Sequence, residues 1–144
     1  MSGGPIVAAV GIELVSRFAV DDETLSALHA RAFGHEAQPV TPWGRRLARY
    51  AVTWVGAFDG GRLVGFVQAC TDGGAHAFLL DTAVDPAWQG RGIGAELVRR
   101  AVEDATAAGC EWLHVDFESA LERFYLQRCG FRPTAAGLLR LRPG

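Results

Sequence analysis

Lysine and asparagine are missing altogether from these 144 residues, and cysteine, methionine and tyrosine are scarce. The missing lysine excludes a Schiff-base amine and the lysine of a phosphate-binding P-loop, so all 14 basic side chains are arginines. Cys70, Cys110 and Cys129 form an odd set without Cys-x-x-Cys spacing, which argues against a disulfide framework or a zinc ribbon. Their apolar neighbours mark them as buried thiols of a protein kept in the reducing cytoplasm. Cys129 lies one helical turn after Tyr125, but no histidine is placed locally to activate it as a nucleophile. Long apolar runs are lacking too. The stretch 5–12 is short and no basic residue precedes it, so neither an export signal nor a membrane span is expected. A formal net charge of −2 without a basic stripe makes nucleic acid and anionic membrane poor partners. No linker, repeat or low-complexity tract divides the chain, and residues 1–144 read as a single domain.

What is present is a run of unusual density, Val84-Asp85-Pro86-Ala87-Trp88-Gln89-Gly90-Arg91-Gly92-Ile93-Gly94, between a strand-like segment and a long amphipathic one. A Gly-rich turn entering a helix offers backbone N–H groups that have no partner inside the helix, and the helix dipole adds positive potential. Gly90 and Gly92 allow close approach of a ligand, and Gln89 and Arg91 add donors. Gly94 permits tight packing of helix on strand. This is the pattern of a pyrophosphate cradle. Gly90-Arg91-Gly92-Ile93-Gly94-Ala95 also satisfies the relaxed dinucleotide fingerprint, with Asp116 about 20 residues on as a ribose-binding acid. That reading loses: Pro86 and its neighbours separate the strand from the first glycine, and too little chain follows Asp116 for another βαβ unit.

Alternation and helical periodicity predict strands over 12–18, 52–58, 62–70, 76–84, 112–117 and 138–141. Helices are predicted over 21–33, with Asp21 and Asp22 as N-cap candidates, and over 43–50, 92–108 and 119–129. Asp59-Gly60-Gly61 is a hairpin turn. In the helix over 92–108 the buried stripe is expected to be Ile93, Leu97, Ala101, Val102, Ala105 and Ala108. Ser119-Ala120-Leu121-Glu122 reads as a capping box.

Gln89-Gly90-Arg91-Gly92-Ile93-Gly94 after Val-Asp-Pro resembles the acetyl-CoA signature of the GNAT superfamily of N-acetyltransferases, Gln/Arg-x-x-Gly-x-Gly/Ala. Downstream, Phe124-Tyr125-Leu126-Gln127-Arg128-Cys129-Gly130-Phe131 is similar to that family's late helix, an aromatic-Tyr pair followed by Gly-Phe. The resemblance spans about residues 62–141. It implies an α/β (α+β) fold: a mixed, mostly antiparallel sheet of six to seven strands with helices on both faces. Strands four and five would run parallel and splay apart to admit the pantetheine arm of acetyl-CoA. Thr82, Ala83 and Val84 would supply backbone contacts to that arm, and Gln89, Gly90, Arg91, Gly92, Ile93, Gly94 and Ala95 would hold the pyrophosphate. Tyr125 matches the general acid that protonates the leaving thiolate. Relatives commonly dimerise, and a strand edge near the C-terminus offers a surface for a homodimer.

Acetyl transfer to an amine also needs a base for the ammonium proton. Trp112, His114, Asp116 and Glu118 alternate on one face of the fifth strand, and Asp81 lies near the end of the fourth. Asp81, Asp116 and Glu118 are therefore read as lining the acceptor side of the cleft, directly or through water. The plainer readings are a solvated strand end for Asp116 and Glu118, a hydrogen-bonded core histidine for His114, and a bulge cap for Asp81. For Tyr125 it is packing beside Leu121 and Phe124. No metal is expected, because side chains two apart on one strand are about 7 Å from each other, too far for His114, Asp116 and Glu118 to close on one ion. Glu118 stands where many family members carry Asn, and Phe78 where protein-acetylating members place a basic Glu. The first removes any Asn-based contact to cofactor or acceptor, and the second points to a small-molecule amine. An acidic cleft favours a cationic acceptor, whereas Arg45, Arg46 and Arg49 beside Trp43 would favour a carboxylate or phosphate if they faced it. The expected activity is acetyl transfer from acetyl-CoA to a primary amine. A non-catalytic acyl-CoA sensor and a dinucleotide-binding protein are the alternatives.

Overall fold

The computed structural model describes residues 6–9, 11–35 and 39–143. The order is β1 (Ile6–Ala9), β2 (Ile12–Ser16), α1 (Asp22–Phe33), α2 (Trp43–Tyr50), β3 (Ala51–Asp59), β4 (Arg62–Thr71), β5 (His76–Val84), α3 (Ile93–Ala107) and β6 (Trp112–Val115). A 3₁₀ turn at Pro86–Trp88 precedes α3, and a second at Ser119–Leu121 leads into a π-helix, Arg123–Arg128.

The strands form one sheet in the order β1-β2-β3-β4-β5-β6. Neighbours are antiparallel except β5 and β6, which run parallel. Five of the six strands expected from the sequence are present as β2–β6, and the sheet does not extend through the C-terminal tail. Residues 138–141 form no strand, and Leu138, Leu139 and Leu141 are exposed. That short Leu-rich stretch pairs with no strand among the described residues, and an unpaired strand has no stability of its own. The short β1 instead lengthens the opposite edge.

Two apolar layers hold the sheet. α3 packs Ile93, Leu97, Val98 and Ala101 onto Leu14, Val55, Val64, Val67 and Leu79. On the other face α1 and α2 bring Leu25, Leu28, Trp43 and Leu47 to Phe18, Leu63 and Phe66. β4 lies between the two layers and is buried over seven consecutive residues, as a central strand covered on both faces must be. Asp21 caps α1, accepting from the Thr24 N–H at 2.9 Å, and Gly34 closes it at φ 69°. The Gly60-Gly61 turn joins β3 to β4 with Asp59 opposite Arg62.

Two expectations are corrected. In α3, Val102 and Ala108 are exposed, while Arg100 and Asp104 are buried. The Ser16 and Thr53 hydroxyls donate to Asp104 Oδ2 at 2.7 and 2.6 Å, and Arg100 donates to Ser16 Oγ at 2.9 Å. Two charged side chains enter the interior because β2 and β3 meet them with hydroxyls, which periodicity along α3 alone does not reveal. The capping box at Ser119 is also absent. Leu121 N–H bonds to the Glu118 carbonyl and the chain tightens into a 3₁₀ turn before the π-helix, whose Cys129 N–H reaches back five residues to the Phe124 carbonyl.

Candidate active site

β5 is the strand on which the site is built. Its pairing with β6 runs from His76↔Trp112 to Leu79↔Val115 and then stops, while β5 itself continues to Val84. Thr82, Ala83 and Val84 thus face β4 on one edge, through Phe66↔Ala83 and Gly65↔Val84, and have no strand on the other. At the parting point lies a bulge. Phe66 pairs with Ala83 and Gln68 with Leu80, which leaves Asp81 and Thr82 opposite Val67, and Asp81 adopts φ 59°. A non-glycine residue in the left-handed region is held there by its surroundings, here by two hydrogen bonds to its carboxylate.

Beyond Val84, Asp85 is buried and anchors the turn: it accepts from Ala87 N–H at 3.0 Å and meets Arg31 at 3.1 Å. Gly90 and Gly92 have φ of 79° and 82°, and Gly92 is the N-cap of α3. No side chain caps that helix, so the N–H groups at its start are presented outward, with Ile93, Gly94 and Ala95 in the first turn. Gln89 donates to the Val84 carbonyl at 3.1 Å, bracing the turn from within. Arg91 lies over the Trp88 ring at 4.4 Å. Gly94 is needed for packing: a Cβ there would stand 3.2 Å from Phe124 Cζ. A groove of about 480 Å³ runs along this surface, lined among others by Arg91, Gly92, Ala95, Arg99 and Arg128. Arg128, from the π-helix, comes within 3.1 Å of where a Gly92 Cβ would lie. Sequence reading missed it, since only the tertiary fold brings the late helix beside the turn.

Tyr125 is buried, its ring stacked on Phe117 at 5.1 Å and edge-on to Phe124 at 4.8 Å and Phe131 at 6.0 Å. Burial raises its phenol pKa above the ordinary value, and a hydrogen bond with the Thr82 side chain opposes that in part. Tyr125 is therefore both a core residue and a polar group directed at the parting strands. The Cys129 thiol is raised by burial against the smaller pull of Arg128, so its reactive thiolate is disfavoured.

The three expected carboxylates are not gathered together. β6 ends at Val115, which leaves Asp116 and Glu118 beyond the strand and exposed. Asp81 alone lines a cavity of about 430 Å³ between α1, α2 and β5, in company with His29, His35, Thr41, Trp43 and Arg46. Of the arginines on α2, Arg46 faces this cavity over the Trp43 ring, and Arg45 and Arg49 are on the exposed side. His114 contacts His76 at 2.7 Å and stacks on Phe78 at 4.6 Å. Among the described residues no group of three or more His, Cys, Asp or Glu side chains is placed to hold a metal ion, and no helix is long and apolar enough to cross a membrane.

A half-open parallel pair followed by a glycine turn at a helix start makes a site open to an extended, phosphate-bearing ligand. The model of the acetyltransferase (GNAT) family matches residues 19–131, and the chain belongs to that family. The N-alpha-acetyltransferase RimI of Mycobacterium tuberculosis is 35% identical over 121 residues, covering 78% of this chain and 76% of that protein. Among solved structures, an acetyltransferase of Trypanosoma brucei aligns with a TM-score of 0.75 over 92% of this chain and 99% of its own, at 23% identity. AAC(6')-Iy in complex with a CoA bisubstrate analogue aligns with a TM-score of 0.72 at 18% identity, over 92% and 99%. The two structural likenesses establish the fold. The family's reaction is N-acetylation from acetyl-CoA.

Proposed function

We propose that this chain transfers the acetyl group of acetyl-CoA to a primary amine of a small-molecule acceptor, by direct attack of the neutral amine on the thioester. The observation that carries this reading is the meeting of Tyr125 with Thr82 on the unpaired edge of β5, beside the turn that leads to α3. The outer edge of β5 at Thr82, Ala83 and Val84 pairs with no strand among the described residues, and an extended pantetheine arm can lie there as a strand would. The turn from Gln89 to Ala95 is open to a pyrophosphate, with Arg91 and Arg128 as neighbouring cations. Tyr125, kept protonated by burial, is the acid for the leaving thiolate. The cavity holding Asp81, His29 and Arg46 lies on the other side of the bulge and has the volume of a small-ligand pocket. It carries both signs of charge, so the acceptor is read as an amine with a polar or anionic group elsewhere.

Thermal unfolding with acetyl-CoA, CoA, NADH and NADPH in parallel tests the cosubstrate. A native-state ligand at about a hundred times its dissociation constant adds roughly 2.7 kcal/mol, or several degrees. A shift with acetyl-CoA and CoA alone supports the reading, and a shift with NADH or NADPH alone defeats it. Binding without thiol release on any amine, with Tyr125 dispensable, would favour a sensor instead. The free thiols Cys70, Cys110 and Cys129 suit a reducing cytoplasm. A homodimer is proposed through the open edge of β6 and exposed Leu138, Leu139 and Leu141. Sedimentation of the wild type as a monomer at micromolar concentration would refute it.

A further inference from the structure

The bulge that meets Tyr125 on one side meets a histidine chain on the other. His29 Nε2 lies 3.0 Å from Asp81 Oδ1, while Asp81 Oδ2 accepts from buried Gln68 at 2.7 Å. The second ring nitrogen, His29 Nδ1, lies 3.1 Å from Nε2 of exposed His35. Rings of Phe33 at 4.5 Å and Trp43 at 5.5 Å flank the imidazole and restrict its rotation. All of His29, His35 and Asp81 line the one cavity.

We propose that His29 is the general base for the acceptor amine and that Asp81 is its positioning residue; this rests on the acetyltransferase reading above. An ionised carboxylate only accepts hydrogen bonds, so Asp81 selects the tautomer with the proton on His29 Nε2 and leaves the Nδ1 lone pair directed elsewhere. The place now taken by His35 Nε2 is where an N–H donor already fits, and an acceptor ammonium can occupy it. The ammonium N–H bond breaks, the proton goes to Nδ1, and the freed amine lone pair forms the new N–C bond. The C–S bond then breaks, the thiolate takes the phenolic proton of Tyr125, and the second proton of the acceptor nitrogen passes to water, which leaves the neutral amide. When the product leaves, Nδ1 gives its proton to water and His35 then returns to it as a donor, while the phenolate regains its proton from solvent. Asp81 and Thr82 are consecutive, so the residues that hold the base and meet the acid are neighbours on one bulge. The other charged groups facing this cavity are Glu23 on α1 and Arg46 on α2, and Cys70 on β4 feels the charges of Asp81 and Arg46.

The test measures thiol release from acetyl-CoA by wild type, His29→Gln, His29→Ala and Asp81→Asn. The amines are a tetrapeptide with a free N-terminus, glucosamine 6-phosphate and spermidine. His29→Gln should lower kcat about a hundredfold with the KM for acetyl-CoA unchanged, as loss of a general base does. Added imidazole should restore turnover to His29→Ala but not to His29→Gln, which has no space for it. Asp81→Asn should lower kcat at least about tenfold, because the amide no longer imposes one tautomer and loss of that control costs up to about 10⁴-fold. Wild-type kcat in His29→Gln, or no imidazole rescue at matched thermal stability, overturns the proposal. Independently of any acceptor, long-range ¹⁵N NMR at alkaline pH should find His29 protonated on Nε2 in the wild type and mixed in Asp81→Asn. A ring protonated on Nδ1 in the wild type overturns it as well. Calorimetry with acetyl-CoA separates the two failures: no binding defeats the acetyltransferase reading, whereas binding with an unaffected His29→Gln defeats only the base.

Discussion

Tyr125→Phe removes one oxygen and leaves the ring among Phe117, Phe124 and Phe131. Among the described residues the polar interaction lost is that with the Thr82 side chain, worth about 1 kcal/mol, so the melting temperature should fall by a few degrees. The effect on turnover should be far larger. Without an acid the thiolate leaves unprotonated, and general acid catalysis is worth about 10² to 10⁴-fold. A drop in kcat of at least about tenfold is expected, with acetyl-CoA affinity unchanged by calorimetry. The pH dependence carries its own sign. Because burial raises the phenol pKa, Tyr125 stays protonated through the neutral range and beyond the ordinary tyrosine value of about 10, and it should produce no alkaline loss of activity below that. For stability, the folded pKa exceeds the unfolded one. The contribution is thus fully present below about pH 10 and is lost as pH rises through the folded value. Near-wild-type turnover in Tyr125→Phe, at intact acetyl-CoA binding, would refute the assignment.

Gly92→Ala places a Cβ in the left-handed region at φ 82° and 3.1 Å from the Arg128 guanidinium, so both the turn and its cation must shift. Acetyl-CoA binding should weaken about tenfold by calorimetry, since a 1.4 kcal/mol change suffices, and unchanged affinity would show that the turn is not the phosphate site. Asp104→Ala leaves the buried Ser16 and Thr53 hydroxyls without their acceptor and loosens the Ser16 hydroxyl to which buried Arg100 donates. Denaturant unfolding should show a loss of about 3 kcal/mol, and a loss under about 1 kcal/mol would mean that water replaces the carboxylate.

Local chemistry made much of the site legible. Gly90 and Gly92 announce a turn with left-handed residues because few other residues accept those angles, and the helix that follows carries its own periodicity. Asp59-Gly60-Gly61 and α2 are equally local. Tyr125 was legible only through resemblance to a family, because aromatic spacing on a helix equally describes a core residue, and here it is one. Reading Asp116 and Glu118 as neighbours of Asp81 followed from extending β6 along its alternation. The strand stops at Val115, where its pairing with β5 ends, and alternation cannot report where a partner is lost. His29 carried no signal. It is a single histidine on α1, whose meaning depends on a carboxylate 52 positions away.

The sequence by itself determined the elements that depend on neighbouring residues: the glycine turn, the Asp21 cap, the hairpin, five of the strands and α1, α2 and α3. Backbone preference and side-chain period act over a few residues, and those residues are adjacent in the chain. The tertiary structure alone decided that Arg100 and Asp104 go inward, that Arg128 stands beside the turn, and that residues 138–141 stay outside the sheet. It also decided that Asp81 meets His29 while Thr82 meets Tyr125. Each of these is settled by which distant surface supplies a hydrogen bond, a charge or a strand edge, and pairing across the fold is not written in local spacing.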